Sequence, residues 1–250
     1  MATGSTDGVK SVTRVFDLLE LIADAGGDVT LSELSAAAEL PLPTIHRLLR
    51  TLVSRGYARQ LQNRRYALGP RLVRLGEVAN RKFGQMAMPQ LKQVVEQLGE
   101  TANLATLDGD RVIYVSQAPS PHAMRMFTEV GRRSYLHSTS VGKAILAGMT
   151  DEQVREIVAR TGMPANTEHT ITDVESLLAD LAKTRKRGYA VDDNEQEIGV
   201  RCFAVAVPDV AVPTAVSVSG PVARVSGDFA ERALPVLEEI VAEIAVTTNQ

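Results

Sequence analysis

The sequence predicts an α/β (α+β) chain of two unlike parts. An N-terminal winged helix-turn-helix leads through a linker helix into a second domain, an antiparallel sheet flanked by helices. Three observations predict this. Apolar residues recur at helical spacing in three short segments before Gly56, with a Pro-containing break before the third. Two short strand-like segments follow, joined by a basic turn. From residue 101 onward, β-branched runs alternate with helical segments that carry capping signals.

The elements follow in order. Val12, Val15, Phe16, Leu19, Ile22 and Ala23 mark an amphipathic helix over about 11–24, stopped by Gly26-Gly27. Thr30 and Glu33 form a capping-box pair that opens a helix over about 31–38, burying Leu31, Leu34 and Ala38. Pro41 breaks the chain, and Pro43 suits the first position of a third helix that runs to about Arg55 with Gly56 at its C-terminal cap. Ile45, Leu48, Leu49 and Leu52 are its inner face. Tyr57–Gln60 and Arg65–Leu68 read as a hairpin turned at Asn63. A helix from Leu72 to about Phe83 meets interruptions at Gly84 and Pro89, which places the boundaries at 8–69, 70–88 and 89–248.

In the second part, Leu91, Val94, Val95 and Leu98 mark a helix closed by Gly99. The segments 101–107 and 112–117 flank Asp108-Gly109-Asp110, a hairpin signal. Met124–Phe127 reads as another strand. Capping boxes at Thr150/Gln153 and Thr172/Glu175 open helices over about 151–160 and 173–187. Val200–Val207 and Thr214–Ser219 read as adjacent strands, and Phe229–Val246 as a terminal helix.

Composition narrows the class. The chain has 250 residues, 44% hydrophobic and 23% charged, enough to bury real cores without staples. A single cysteine excludes an internal disulfide framework and a multi-Cys zinc module. His46, His122, His137 and His169 are scattered without metal-pair spacing, so neither metal nor cofactor is expected. The opening MATGSTDGVK is polar and lacks the apolar core of a secretory signal. No uninterrupted apolar run reaches the roughly 18 residues a bilayer requires. The expected compartment is the cytoplasm, with no membrane partner.

Charge is segregated. Residues 1–83 carry 12 Lys+Arg against 8 Asp+Glu, a balance of +4, within a chain of formal net charge −3. No carboxylate lies between Glu39 and Glu77, while Arg47, Arg50, Arg55, Arg59, Arg64, Arg65, Arg71 and Arg74 do. Such a surface faces an anion, and nucleic acid is the first candidate. At 100° per residue, Arg47, Arg50 and Ser54 point away from the apolar face of the third helix, flanked by Thr44, His46 and Thr51. Arginine and hydroxyl groups suit guanine edges and phosphates in a major groove. The hairpin tip Asn63-Arg64-Arg65 suits the backbone or minor groove. A winged helix used for protein contacts, or a plain solvated basic face, is the alternative.

In its motifs the chain resembles the IclR family of bacterial transcription regulators. The stretches are VKSVTRVFDLLELI, LSELSAAAELPLPTIHRLLRTLVSRGY, RRYALGPRLVRLG, SYLHSTSVGKAIL, RGYAVDDNEQEIGVRC and VSVSGP, in family order over nearly the whole chain. The resemblance implies a C-terminal effector-binding domain related to GAF domains, also used for oligomerisation. It further implies a homodimer or tetramer, a palindromic double-stranded operator, and a small organic acid as effector. The stretch LDGDRVIYVSQAPSPHAMRMFTEVGRR is close to allantoin-type regulators, so glyoxylate or allantoate leads, with aromatic acids, pyruvate and acyl-derived acids behind.

Ser138 to Lys143 precede a short apolar helix, Ala144–Ala147, and small hydroxyl residues with free amides at a helix start suit an anion. Ordinary capping is the alternative. In acid-binding relatives two amides here hold the carboxylate, and an Asp, a Cys and two Ser complete the pocket. That resemblance implies Ser140 and Val141 for the amides, with Asp192, Cys202, Ser217 and Ser219. Ser217 and Ser219 share a strand face, and Met124 and Met126 are expected as apolar wall. Two departures stand out: Ser140-Val141 is bulkier than the usual Gly-Ala, and the loop PDVAVPTA is short and lacks a glycine turn. Cys202 also fits a buried small hydrophobe, and Asp192 and Asp193 fit plain turn residues.

The function expected is thus a sequence-specific DNA-binding regulator, a repressor under acid control. A protein-interaction module without a DNA role is the main alternative. A hydrolase using Ser140 or Cys202 is a remote one, because no base is assignable beside either.

Overall fold

A computed structural model describes residues 9–83, 86–226 and 228–248. It divides into two compact units, the first ending at Ala79 and the second starting at Asn80. Gly8, the expected start of the first domain, and Gly84, the expected helix interruption, lie outside the described residues.

The first unit holds α1 (Lys10–Asp24), α2 (Leu31–Ala37), α3 (Leu42–Ser54), β1 (Ala58–Gln60) and β2 (Tyr66–Leu68). α2 starts with both halves of the Thr30/Glu33 capping box formed. α3 starts one residue earlier than expected, with Pro41 as its cap and Pro43 inside its first turn. It ends at Ser54 with Arg55 as its cap, and Gly56 follows with a φ of 76°, which favours glycine. β1 and β2 pair antiparallel, and Val29 bridges Tyr66 to widen this wing. The core joins Leu18, Ile22, Leu34, Ile45, Leu48, Leu49, Leu52 and Tyr66.

The inner stripe of α1 differs from expectation. It runs through Val15, Leu18, Leu19 and Ile22, while Val12 is exposed and Phe16 is 62% exposed. Apolar residues occupy more than one face of this helix, and periodicity alone did not decide which face meets the core. α4 (Arg71–Phe83) follows the wing directly.

The second unit is built on a six-stranded antiparallel sheet: β3 (Thr101–Asp108), β4 (Arg111–Ala118), β5 (Arg133–Tyr135), β6 (Ala190–Asp193), β7 (Val200–Ala206) and β8 (Thr214–Pro221), in the order β5-β4-β3-β8-β7-β6. One face packs against α5 (Met88–Leu98) and α9 (Phe229–Thr248), through Leu91, Val94, Val216, Val218, Phe203, Leu237 and Ile240. The other carries α6 (Ser140–Ala147), α7 (Asp151–Thr161) and α8 (Val174–Arg187), over Ala105, Ala190, Ala204 and Ala215. These alanines lack bulk, so α6 settles close to the sheet.

Three local expectations and one alternative reading are corrected. Met124–Phe127 is not a strand. Its carbonyls are satisfied by side chains, Met124 O by Arg224 Nη2 at 2.9 Å and Met126 O by Thr101 Oγ1 at 3.0 Å. The edge of β4 pairs instead with β5. Pro89 does not interrupt a helix but sits in the first turn of α5, where its missing N–H costs nothing. α8 is capped by Asp173, which accepts from Ser176 N at 2.9 Å, so Thr172 is not the cap. Asp192 and Asp193 are not turn residues but end β6, a strand too short and too polar to be read from pattern.

Candidate operator-binding face and effector site

In the first unit, α3 buries its four apolar residues and turns His46, Arg47, Arg50, Thr51 and Ser54 to solvent, with Thr44 half-buried. Thr51 Oγ1 donates to Arg47 O at 3.2 Å and Ser54 Oγ to Thr51 O at 2.9 Å. These bonds commit both hydroxyl protons to the helix backbone, while the side chains of Arg47 and Arg50 stand exposed.

The wing tip is a tight turn. Arg65 N donates to Asn63 Oδ1 at 3.1 Å, Leu61 N to Arg65 O at 2.8 Å, and Arg64 has a φ of 65°. Asn63 and Arg64 are exposed. Arg65 is not presented with them. Its Nε donates to Asp28 Oδ1 at 2.5 Å and its Nη2 to Asp28 O at 3.1 Å and Glu33 Oε2 at 3.3 Å. Arg71, though exposed, is also engaged, donating to Arg55 O at 3.0 Å with its guanidinium over the ring of Tyr57. Arg65 therefore braces the wing against the helices, Arg71 ties α4 to the end of α3, and the outward cations include Arg47, Arg50, Arg59 and Arg64.

The second candidate site lies where the alanine-lined face of the sheet turns polar. Strand register places Asp192 opposite Cys202 and Cys202 opposite Ser219. One row over, Ser217 lies opposite Asn103, and Asn103 opposite Gln117. Directly opposed residues share a face, so these six polar side chains line one side of the sheet.

α6 begins over them. It starts at Ser140, earlier than Ala144, with Thr139 as cap accepting from Gly142 N at 3.1 Å. The first intrahelical bond is Lys143 N to Thr139 O at 2.9 Å. Ser140 and Val141 therefore occupy the first turn, where amides have no intrahelical acceptor. Gly142 permits this start, because a Cβ there would meet Leu136 O at 2.3 Å.

The thiol of Cys202 sits among the side chains of Asp192, Ser219 and Ser140. Burial pushes it well up, beside Asp192, so it is a neutral thiol and no nucleophile. Burial likewise raises Tyr114, the β4 phenol beside Cys202 and Asp192. Asp192 is 3% exposed. Its Oδ1 accepts from Glu195 N at 2.9 Å and Gln196 N at 3.2 Å. Burial first, then the negative neighbour Glu195, push its carboxyl group up to about 7.

Ser140, Asp192, Cys202 and Ser219 thus come together, Ser217 joins them through Asn103, and Val141 follows Ser140 in the first turn of α6 with its side chain in the apolar core. Met126 is half-buried beside Thr101, whereas the Met124 side chain is 73% exposed and does not join them. Sequence reasoning missed Asn103 and Gln117. Asn103 Nδ2 donates to Ser217 Oγ at 3.4 Å and Ser219 Oγ at 3.3 Å, and Gln117 Nε2 donates to Asn103 Oδ1 at 3.0 Å. An amide inside the apolar run TANLATL was the available signal. It also missed Lys143, 1% exposed, whose Nζ lies 2.5 Å from Glu195 Oε1 and 3.0 Å from Asp180 Oδ2. Among the described residues no cluster of three or more His, Cys, Asp and Glu is placed to hold a metal ion. No helix there is long and apolar enough to cross a membrane.

A winged helix with a basic reading face, joined to a sheet domain with a buried polar site at a helix start, defines a DNA-binding regulator. Comparison with known proteins agrees. Residues 11–62 match the IclR helix-turn-helix domain and residues 77–246 the bacterial transcriptional regulator IclR C-terminal domain. The chain belongs to the IclR family of transcriptional regulators.

It is 38% identical over 231 residues to the transcriptional repressor IclR of Escherichia coli K12, covering 90% of this chain and 84% of that one. It is 37% identical over 230 residues to the acetate operon repressor of Salmonella typhimurium, covering 89% and 84%. Among solved structures, the IclR regulator of Alicyclobacillus acidocaldarius superposes with a TM-score of 0.83 at 31% identity, covering 96% of this chain and 99% of that one. An IclR homologue of Microbacterium hydrocarbonoxydans, solved with 4-hydroxybenzoate, gives 0.77 at 26% identity over 96% and 99%. These relatives are transcriptional regulators, not enzymes.

Proposed function

We propose that the chain is a repressor whose operator affinity is set by a small organic acid held at the start of α6. Residues 8–69 carry the operator face, 70–88 the connection, and 89–248 the effector site and oligomer contacts. The observation that carries the reading is that the side chains of Ser140, Asp192 and Ser219 meet the buried Cys202 thiol at the start of α6, with Ser217 joined to Ser219 through Asn103. Helix-start amides favour a carboxylate, and the serines supply further donors.

On the operator side, Thr44, His46, Arg47, Arg50, Thr51 and Ser54 enter the major groove, and Asn63 and Arg64 touch the backbone or minor groove. A homodimer or tetramer presents two such readers to half-sites roughly 34 Å apart, or a multiple. Exposed Val12 and Phe16 on α1 and Val73, Leu75 and Val78 on α4 support assembly, since such groups gain by being covered. A coupling of about 1–3 kcal/mol between sites changes operator occupancy roughly 5- to 150-fold. Repression is favoured by the names of the 37–38% identical relatives. An acid effector is favoured by the 4-hydroxybenzoate held by a structural neighbour, with glyoxylate or allantoate the leading candidates.

The test is calorimetric titration of the full chain with glyoxylate, allantoate, pyruvate and 4-hydroxybenzoate, repeated on Ser217→Ala and Ser219→Ala. Saturable binding of one acid, weakened at least tenfold in both variants, is expected. Binding untouched by either variant contradicts the site.

A further inference from the structure

We propose that the acid enters this site together with a proton, so that it is held as a monoanion hydrogen-bonded to a neutral Asp192 carboxyl group. The proposal rests on the small-acid reading of the same site and concerns its charge balance.

Three carboxylates and one ammonium gather beside the first turns of α6. Lys143 is committed to Glu195 at 2.5 Å and Asp180 at 3.0 Å. Arg187 lies 4.0 Å from Asp180 and spends its hydrogen bonds on Tyr189 O and Thr184 Oγ1. Asp192 is the surplus carboxyl group. The backbone N–H groups of Glu195 and Gln196 fix its Oδ1, and its side chain abuts the thiol of Cys202.

Every packed element contributes a neighbour. β7 supplies Cys202 and β4 supplies Tyr114, both neutral. β8 supplies the hydroxyl of Ser219. The segment after β6 supplies Glu195, whose carboxyl group burial pushes up against the opposing pull of Lys143, and α6 supplies that Lys143, already paired. Arg132, exposed ahead of β5, acts on Tyr114, and the cation that acts on Asp192 itself is the paired Lys143. A carboxylate placed beside an ionised Asp192 would set two like charges together in a buried space, and such pairs keep one proton between them. That proton comes from solvent, since a short organic acid arrives ionised at neutral pH. In the empty site burial already holds Asp192 near half-protonation at about pH 7, so loading it costs little there.

The same count sets the ligand class. The site has donors for one carboxylate, and among the described residues the cations near it are Lys143, already paired, and Arg132, an exposed group that acts on Tyr114. It therefore takes monocarboxylates and rejects dicarboxylates such as oxalate.

The test uses the full chain. Glyoxylate, allantoate, pyruvate, 4-hydroxybenzoate and oxalate are titrated calorimetrically between pH 5.5 and 8.5, in phosphate and in Tris, whose ionisation enthalpies differ. Expected for a bound monoacid is uptake approaching one proton at pH 8. Its affinity should fall towards tenfold per pH unit once Asp192 is ionised, and oxalate should bind at least tenfold more weakly. Asp192→Asn, which keeps the Oδ1 acceptor, should bind with no proton uptake and no pH slope. In the empty wild-type chain, the Asp192 carboxyl carbon should titrate near neutrality by NMR. Binding without proton uptake, or a midpoint below pH 5, overturns the proposal while leaving the acid reading intact. No binding by any acid at any pH overturns both.

Discussion

Lys143 and Glu195, 52 positions apart in sequence, form a buried ion pair that ties the first turns of α6 to the segment following β6. The first turn of α6 supplies Ser140 and Val141 to the candidate effector site, and the segment after β6 holds the Asp192 carboxyl group through the N–H groups of Glu195 and Gln196. Their spacing is thus fixed by a pair that is itself out of the site.

Lys143→Met should be costly for that reason. It leaves Glu195 and Asp180 without their ammonium, and breaking a buried pair costs about 3–5 kcal/mol. Chemical denaturation should show the loss, and Lys143→Met with Glu195→Gln should recover part of it. A single variant as stable as wild type would contradict the buried pair.

The two adjacent wing arginines should separate by assay. Arg64→Ala should weaken DNA binding uniformly across sequences, as loss of a phosphate contact does, without changing the melting temperature. Arg65→Ala should lower stability by up to about 1 kcal/mol, the range for a part-exposed pair, because its partners are Asp28 and Glu33. Binding and thermal unfolding of both variants decide it.

On α3, Arg47→Ala and Arg50→Ala should each lose about 1–3 kcal/mol of operator affinity and relax base preference at one position. The fold should remain, since both side chains are exposed. Selection of bound sequences from a random pool reads the change in preference directly.

Much of this was legible in sequence, and the reasons differ by region. α3 was clear because Ile45, Leu48, Leu49 and Leu52 repeat at helical spacing and all are buried. α1 was legible as a helix but not in its inner face, because Phe16 and Val12 are as apolar as Leu18. The strand at Ala190–Asp193 was missed because its polar end looks like a turn; only pairing with Cys202 and Arg201 makes it a strand. The serines, Cys202 and Asp192 came from motif resemblance. Asn103 left one local trace, an amide inside an apolar run, while its partners Ser217, Ser219 and Gln117 and the Lys143–Glu195 pair beside the site are set by register and packing between residues far apart in the chain.

Asp192 also carries a stability signature. The unfolded chain releases this proton near pH 4, while the folded chain keeps it to about pH 7. Across that window the folded state binds more protons, so this group makes stability fall as pH rises, and adds no further change above it. Asp192→Asn removes the effect. Its stability relative to wild type should therefore be higher at pH 8 than at pH 4, measured by denaturant midpoints. A difference independent of pH contradicts a raised carboxyl group.

The most direct test of operator control is fluorescence anisotropy with the full chain and the DNA upstream of its own gene, at near-physiological salt with excess competitor duplex. The account predicts binding at least about 10³-fold tighter than to random DNA, and release by one monocarboxylic acid but not from the Ser217→Ala variant. Binding no tighter than to random DNA, or tight binding that no acid of the panel changes, would contradict it.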